Sequence, residues 1–126
     1  MIEKIKKKKA VIGIFGLGYI GLPRCIQFSR QRFKVLGFDD DLSKIKKLDA
    51  NQSYLTTVRN KDIFQIKNFF TPTSNFSRVK ELDVIILCLP TPLKSGKPDL
   101  SYIRNTLKLI KPYLKLHQFL CLESTS

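Results

Sequence analysis

The chain has 126 residues, of which 43% are hydrophobic, and its formal net charge is +13 at pH 7. This length predicts one domain with its own core, and no apolar run approaches the roughly 20 residues that a membrane-spanning helix needs. A signal peptide is not indicated, because the apolar stretch at residues 11–15 is too short. We therefore expect a cytoplasmic protein without a membrane partner. Its excess lysines and arginines suggest a solvated surface rather than a nucleic-acid interface, since no nucleic-acid-binding motif accompanies them.

The three cysteines, Cys25, Cys88 and Cys121, all lie in apolar stretches and lack C-x-x-C spacing. This pattern favours reduced, buried thiols over disulfides or metal ligands. No metal site is predicted.

The first strong pattern in chain order follows a charged lead-in at residues 1–9, which we expect to be frayed. Residues 10–15 form a short apolar run rich in β-branched side chains, typical of a strand buried on both faces of a parallel sheet. Residues 16–21 then read G-L-G-Y-I-G, and a helix is predicted from about Tyr19 to Arg30.

Each glycine of residues 16–21 has a separate predicted role in binding a dinucleotide. Gly16 permits the tight turn after the strand, Gly18 lets a pyrophosphate approach the backbone, and Gly21 lets the helix pack closely. The N-terminal N–H groups of the helix would then face the phosphates. From the glycines alone, a turn of this kind without a ligand remains an alternative.

Asp39 narrows the choice of cofactor. It lies 21 positions after Gly18, at the end of a second predicted strand, where a carboxylate can accept both ribose hydroxyls of an adenosine. The same carboxylate would repel a 2′-phosphate, so NAD is favoured over NADP. Asp39 to Asp41 could instead cap the next helix, and both roles can coexist. Lys44 on that helix could face the ribose, although such lysines are often only solvated.

The rest of the chain continues the alternation of strands and helices. Predicted elements are a short helix at residues 61–66, strands at residues 69–71 and 83–89, a helix that begins at Asp99 and ends or kinks at Pro112, and a strand at residues 118–122. We predict a Rossmann-type α/β fold, an open parallel sheet of about five strands in the order 3-2-1-4-5 with helices on both faces. A ligand crevice should lie between the turns at residues 16–21 and 90–92.

With these elements placed, the chain resembles the N-terminal domain of the nucleotide-sugar 6-dehydrogenases, the UDP-glucose and GDP-mannose dehydrogenase superfamily. The matching segments occur in the family's order and are residues 16–23, 37–39, 89–93, 98–103 and 123–125. Two of these segments, P-T-P-L at residues 90–93 followed by P-D-L-S-Y-I at residues 98–103, are most similar to the branch acting on UDP-N-acetylglucosamine or UDP-N-acetylmannosamine.

The resemblance implies an NAD-dependent oxidation of the sugar C6 alcohol to a carboxylate, through a cysteine-bound thiohemiacetal and thioester. It implies that Tyr19 and Ile20 meet the pyrophosphate, Asp39 and Lys44 the ribose, and Thr91 the nicotinamide half, with Thr125 beside the catalytic water. The complete set of predicted cofactor-binding residues is Gly16, Gly18, Tyr19, Ile20, Gly21, Asp39, Lys44, Pro90, Thr91 and Thr125.

The chain also departs from the family. Family members are longer, and their nucleophilic cysteine and most of their sugar site lie beyond the position of Ser126. Arg24 occupies a position where the family usually has an apolar residue. We expect residues 10–126 to be an NAD-binding domain, incomplete at its C-terminal end, that takes a UDP-sugar only if the missing domains are supplied. The alternative is a non-catalytic remnant or interaction module, which would favour self-association through an exposed sheet edge.

Overall fold

A computed structural model describes residues 2–125 of the chain. The α-helices are α1 (Ile2–Lys6), α2 (Gly21–Arg30), α3 (Leu42–Asp49), α4 (Asn60–Gln65) and α5 (Ser101–Ile110), with 3-10 turns at Phe76–Glu81 and Lys111–Tyr113. The strands are β1 (Val11–Phe15), β2 (Lys34–Phe38), β3 (Phe70–Thr73), β4 (Val84–Pro90), β5 (Leu93–Lys94), β6 (Lys97–Pro98) and β7 (Phe119–Thr125). Among residues 2–125, no helix is long and apolar enough to cross a membrane.

Five strands form one parallel sheet in the order β3-β2-β1-β4-β7. The predicted order is confirmed, with β7 as its fifth strand. Residues 93–98, where the sequence predicts a loop between the strand at residues 83–89 and the helix at Asp99, instead contain β5 and β6, which pair as a small antiparallel hairpin. Ser95 and Gly96 both have positive φ, at 53° and 79°, which is the backbone a tight two-residue hairpin turn requires.

Helices cover both faces of the sheet, as predicted. On one face, side chains of β1 and β2 pack against α2, α3 and α4, and Ile14, Leu22 and Ile45 belong to this core. On the other face, Phe15 and Phe38 stack with their ring centroids 4.3 Å apart and pack in a second core that contains Ile110 of α5. Because β1 is buried on both sides, its sequence is a continuous apolar run rather than an alternating one.

The N-terminal lead-in is helical rather than frayed. Lys4 of α1 donates a hydrogen bond from Nζ to Asp83 Oδ1 at 2.9 Å, and Asp83 Oδ2 accepts one from the Val11 N–H at 2.8 Å. Burial tends to raise the pKa of Asp83, but these contacts outweigh it and hold the pKa below its usual value. This carboxylate therefore links α1 to the start of the sheet, a contact over 79 residues that no local pattern indicates.

The cysteine predictions are only partly correct. All three thiols are free, but only Cys25 is buried, whereas Cys88 and Cys121 are half-buried. Cys121 lies on β7 at the edge of the sheet and Cys88 near the exposed end of β4, so apolar sequence neighbours do not ensure complete burial there.

Candidate cofactor-binding site

A cavity lies at the point of the sheet where the chain continues from β1 to one side, toward β2, and from β4 to the other side, toward β7. Its volume is about 540 Å³, and it opens at the carboxyl ends of these strands, where open α/β sheets bind their ligands. The predicted crevice is therefore present. The predicted residues that line it are Gly16, Gly18, Tyr19, Ile20, Asp39, Lys44 and Pro90.

Three other predicted residues are not in this lining. Gly21 begins α2 beneath the turn, and Thr91 is buried after the end of β4. Thr125 pairs with Pro90 in the β4–β7 register, but its side chain is outside the part of the chain that the structure describes. The roles predicted for these three residues stay predictions.

The glycines of residues 16–21 differ in what surrounds them. Gly16 has a φ of +93°, and a Cβ there would lie 2.3 Å from the Cys88 carbonyl oxygen. A Cβ on Gly21 would lie 1.6 Å from the Gly16 carbonyl oxygen, so the two ends of the turn are packed too closely for a side chain at Gly21. A Cβ on Gly18 would have no described atom within 4 Å. Two glycines therefore shape the turn, whereas Gly18 faces open space that a ligand can enter.

Helix α2 directs its N-terminus into this space. Ile20 precedes the helix and provides no side-chain cap, and no acidic residue occupies the first turn. The positive end of the helix dipole therefore remains accessible to an anion.

Asp39 is held in place by backbone hydrogen bonds. Its side chain is 11% exposed. Oδ2 accepts a hydrogen bond from the Leu17 N–H and Oδ1 accepts one from the Asp41 N–H, both at 2.9 Å. Lys44 Nζ lies 3.8 Å from Oδ2. A carboxylate has about four lone-pair sites, so Asp39 retains acceptor capacity for two hydroxyl groups.

The capping role proposed for the acidic run belongs to Asp41. The Asp41 side chain accepts hydrogen bonds from the N–H of Ser43 at 3.0 Å and from its hydroxyl at 2.6 Å. The hydroxyl contact, with the backbone contact second, lowers the pKa of Asp41. Because a different residue caps α3, Asp39 is available to the cavity.

Tyr54 contacts the glycine turn, although no sequence pattern predicts that it does. Its hydroxyl donates a hydrogen bond to the Leu17 carbonyl oxygen inside the turn, and Lys44 Nζ lies 5.6 Å from the centroid of its ring. Burial, with the charge of Asp39 second, raises the pKa of Tyr54 well above its ordinary value, so the hydroxyl keeps its proton. Tyr54 lies in an irregular segment without a periodic pattern, and no local signal could have found it.

The wall opposite the turn comes from α5 and neighbouring segments. Its members are Phe76, Leu89, Tyr102, Asn105, Thr106 and Leu109. None was predicted, because helical periodicity indicates the core-facing side of α5 but not which residues reach a cavity. Thr106, a buried polar residue in an otherwise apolar stripe, was the only signal.

Arg24 and Glu123 form an ion pair at the side of the cavity. Arg24 Nε lies 3.1 and 3.2 Å from the two carboxylate oxygens of Glu123, and Glu123 lines the cavity. The hydrogen bond raises the pKa of Arg24 above its usual value. The Arg24 side chain is 39% exposed, so it is in contact with solvent and paired with Glu123 at the same time. Beside the pair, burial followed by the charge of Glu123 raises the pKa of Cys88 to about 11, which keeps this thiol protonated at neutral pH.

Within residues 2–125, no group of three or more His, Cys, Asp or Glu residues is placed to hold a metal ion. The cavity instead joins a glycine turn, a helix N-terminus without a side-chain cap and the largely buried carboxylate of Asp39. The family model described as the NAD binding domain of the UDP-glucose/GDP-mannose dehydrogenase family matches residues 10–126. The chain belongs to this family.

Several dehydrogenases are similar to this NAD-binding domain in sequence. The chain is 37% identical to UDP-N-acetyl-D-mannosamine dehydrogenase of Methanococcus aeolicus, an alignment that covers 98% of the chain and 30% of that protein. It is 30% identical to the Pyrococcus horikoshii enzyme of the same name, with 90% and 28% covered. The chain thus spans less than a third of the length of these relatives.

Solved structures share the fold of the domain. The UDP-D-ManNAc dehydrogenase of Pyrococcus horikoshii superposes with a TM-score of 0.85 at 28% identity, covering 91% of this chain and 28% of that one. A ternary complex of GDP-mannose dehydrogenase from Pseudomonas aeruginosa superposes with a TM-score of 0.82 at 27% identity, with the same coverage. The family, the fold and the NAD cofactor predicted from the sequence are therefore confirmed.

Proposed function

We propose that this domain binds NAD in the cavity, with the pyrophosphate at residues 16–21 and the adenosine ribose at Asp39, as the cofactor half of a nucleotide-sugar 6-dehydrogenase. The observation that carries the proposal is the position of Asp39. It lies at the carboxyl end of β2, beside the glycine turn, with two backbone donors orienting it and lone pairs left for a diol.

The remaining predicted residues divide between the two ends of the cofactor. The backbones of Tyr19 and Ile20 would contact the pyrophosphate at the N-terminus of α2. Lys44, close to Asp39, would contact the ribose and offset the charge of the carboxylate. Pro90, Thr91 and Thr125 would surround the nicotinamide half, since β4 and β7 are neighbours. When bound, NAD supplies the hydride acceptor.

A titration tests the binding proposal. Isothermal calorimetry should show saturable binding of NAD to the wild-type chain and weaker binding of NADP, because Asp39 repels a 2′-phosphate. Asp39→Asn should weaken NAD binding about tenfold and narrow the difference between the two cofactors. Asp49→Asn removes the same charge at the exposed end of α3 and is the control. Absence of saturable NAD binding by the wild type would disprove the proposal.

We further propose that this chain does not oxidise a nucleotide sugar by itself. Cys25 and Cys88 do not suit a nucleophilic role, because Cys25 is buried and the raised pKa of Cys88 keeps that thiol protonated. A UDP-sugar would become a substrate only together with further domains like those of the longer relatives. Incubation with NAD and UDP-N-acetylmannosamine should therefore produce no NADH. Measurable NADH formation would contradict this assignment.

A second candidate function is a non-catalytic interaction module that associates through strand β7. On its outer side β7 has no partner strand among residues 2–125, and Leu120 and Leu122 are about half exposed. Light scattering should then detect dimers whose fraction rises with concentration, and Leu122→Lys should reduce it. Phe64→Lys, an equally exposed site on α4, is the control. A monomer at all concentrations would exclude this function.

A cytoplasmic location is also proposed. The three free thiols suit a reducing compartment. Fractionation of cells that express the chain should recover it with cytoplasmic markers, and recovery with membranes or the exterior would contradict the proposal.

A further inference from the structure

We propose that Arg24 is a positioning residue for NAD: it neutralises and holds Glu123, a carboxylate in the cavity wall, so that this part of the wall can accept an anionic cofactor. The inference rests on the proposed binding of NAD in this cavity. It assigns a function to the residue at which the chain departs from the pattern of the family it resembles.

The pair joins the two elements that meet at the nicotinamide side of the cavity. Arg24 lies in the first turns of α2, where its N–H bonds to the Ile20 carbonyl oxygen at 3.2 Å. Glu123 lies on β7 opposite Cys88 of β4. A Cβ on Gly21 would lie 3.4 Å from the Cys88 Cβ, so the start of α2 packs directly over this position. Arg24 therefore reaches from the phosphate-binding helix to the edge strand.

The geometry orients the guanidinium group toward Glu123. Its Nε lies within hydrogen-bond distance of both carboxylate oxygens, and its Nη1 donates to the Gln27 Oε1 at 2.8 Å. Gln27 lies one turn further along α2, so the helix itself supplies the second contact. Both charged side chains are more than a third exposed, at 39% and 36%, which makes the pair weak as a source of stability. Its contribution to the charge of the cavity does not depend on that stability.

Charge balance in the cavity explains why such a pair is needed. Three carboxylates line the cavity, those of Asp39, Asp40 and Glu123, whereas Lys44 is the cation in its lining. Lys44 is committed to Asp39, 3.8 Å away. The pyrophosphate of NAD adds two negative charges, and an unpaired carboxylate within a Debye length of about 8–10 Å would oppose them. Arg24 removes that opposition at Glu123.

A double-mutant cycle measured by calorimetry tests the inference. Arg24→Ala should weaken NAD binding by roughly three- to tenfold at low salt, and less at high salt because ions screen the exposed carboxylate. Glu123→Gln should tighten binding, because it leaves Arg24 as an unpaired cation. The double variant Arg24→Ala with Glu123→Gln should return to within about twofold of the wild type, since position 123 then carries no charge that could repel the cofactor.

Two further variants separate charge from structure. Arg24→Lys keeps the positive charge without the planar group and should bind NAD nearly as well as the wild type. Arg30→Ala removes the arginine at the other end of α2, which pairs with Asp62, and should leave affinity unchanged. Melting curves of every variant confirm that the compared proteins are folded.

The outcomes are distinct. Wild-type affinity in Arg24→Ala at low salt would overturn the inference, and so would a double variant that binds as weakly as Arg24→Ala, which would indicate a purely structural link. If the wild type itself fails to bind NAD, the proposed function fails instead.

Discussion

The turn at residues 16–21 and the edge strand β7 belong to the same sheet but differ in how tightly they are packed. In the turn, backbone atoms approach so closely that Gly16 and Gly21 have no space for a side chain. On β7, one side pairs with β4 along seven residues, but the large apolar side chains Phe119, Leu120 and Leu122 stay about half exposed. The two regions contribute to the same cavity, through the turn backbone on one side and Glu123 on the other.

The difference shows where the sequence of this domain is tightly constrained. A central parallel strand is covered on both faces and on both edges, so each residue that follows it must fit several neighbours at once. An edge strand has neighbours on one side, and a substitution there disturbs fewer contacts. The glycine-turn side of the cavity is thus specified by close packing, and the β7 side by a few polar contacts at the edge.

The largest effect is expected for Gly21→Ala. Its Cβ would lie 1.6 Å from the Gly16 carbonyl oxygen, which is backbone and cannot rotate away, so the turn must distort. We expect a loss of at least about 3 kcal/mol, the upper end of overpacking costs, and a melting temperature lowered by roughly 10 °C or more, measured by circular dichroism.

Gly18→Ala is the matched control, because the same methyl group would meet no described atom within 4 Å. Its melting temperature should stay close to that of the wild type, while NAD affinity falls about tenfold because the methyl group occupies the approach of the pyrophosphate. Equal loss of stability in both variants would show that the turn does not have the shape described.

Leu87 and Leu122 provide the sharpest comparison between centre and edge, because they are register partners on β4 and β7. Leu87 is 2% exposed and Leu122 is 55% exposed. Leu87→Ala should cost about 2–5 kcal/mol through lost burial and a cavity, whereas Leu122→Ala should cost less than about 0.5 kcal/mol. Urea denaturation measures both values. A cost above 1 kcal/mol for Leu122→Ala would indicate that the edge is covered in solution.

Tyr54→Phe should have a smaller effect on stability and a measurable one on binding. The change removes the hydroxyl that donates to the Leu17 carbonyl oxygen and leaves the ring beside Lys44 in place. Loss of this hydrogen bond should cost about 1–2 kcal/mol in urea denaturation and weaken NAD binding a few-fold, since the turn is less rigid. Unchanged affinity with reduced stability would assign Tyr54 a structural role only.

The smallest effect is expected for Asp62, whose contribution to the stability of the fold should depend on pH. Asp62 Oδ2 accepts a hydrogen bond from the Arg59 N–H at 2.9 Å, and Oδ1 lies 3.1 Å from Arg30 Nη2. The Arg59 backbone contact, followed by that of its side chain, holds the pKa of Asp62 below its ordinary value.

A lowered folded-state pKa gives stability that is complete above the unfolded-state pKa, about 3.9, and is lost as the pH falls through the folded-state value. Asp62→Asn should therefore lower the melting temperature by a few degrees at pH 7, and the difference from the wild type should vanish in acid. A difference that persists at pH 2 would contradict the charge-based explanation.

Much of the fold was accessible from local patterns. The continuous apolar run of β1, the glycine spacing and Asp39 at the end of the second strand predicted the sheet order and the cavity between β1 and β4. Each of these features lies within a single strand or turn, so a short stretch of sequence is enough to indicate it. The hairpin of β5 and β6 was missed because its strands have two residues each, too few for a periodic signal.

The sequence by itself determined the parallel α/β fold, the family and the glycine turn at residues 16–21, because strand hydrophobicity and glycine geometry act over a few neighbouring residues. Only the tertiary structure decided that Tyr54 supports the turn 37 residues away and that Arg24 meets Glu123 across 99 residues. Such contacts depend on how strands and helices come together in space. A single side chain in an irregular or exposed segment belongs to no periodic pattern, so the sequence does not indicate its partner.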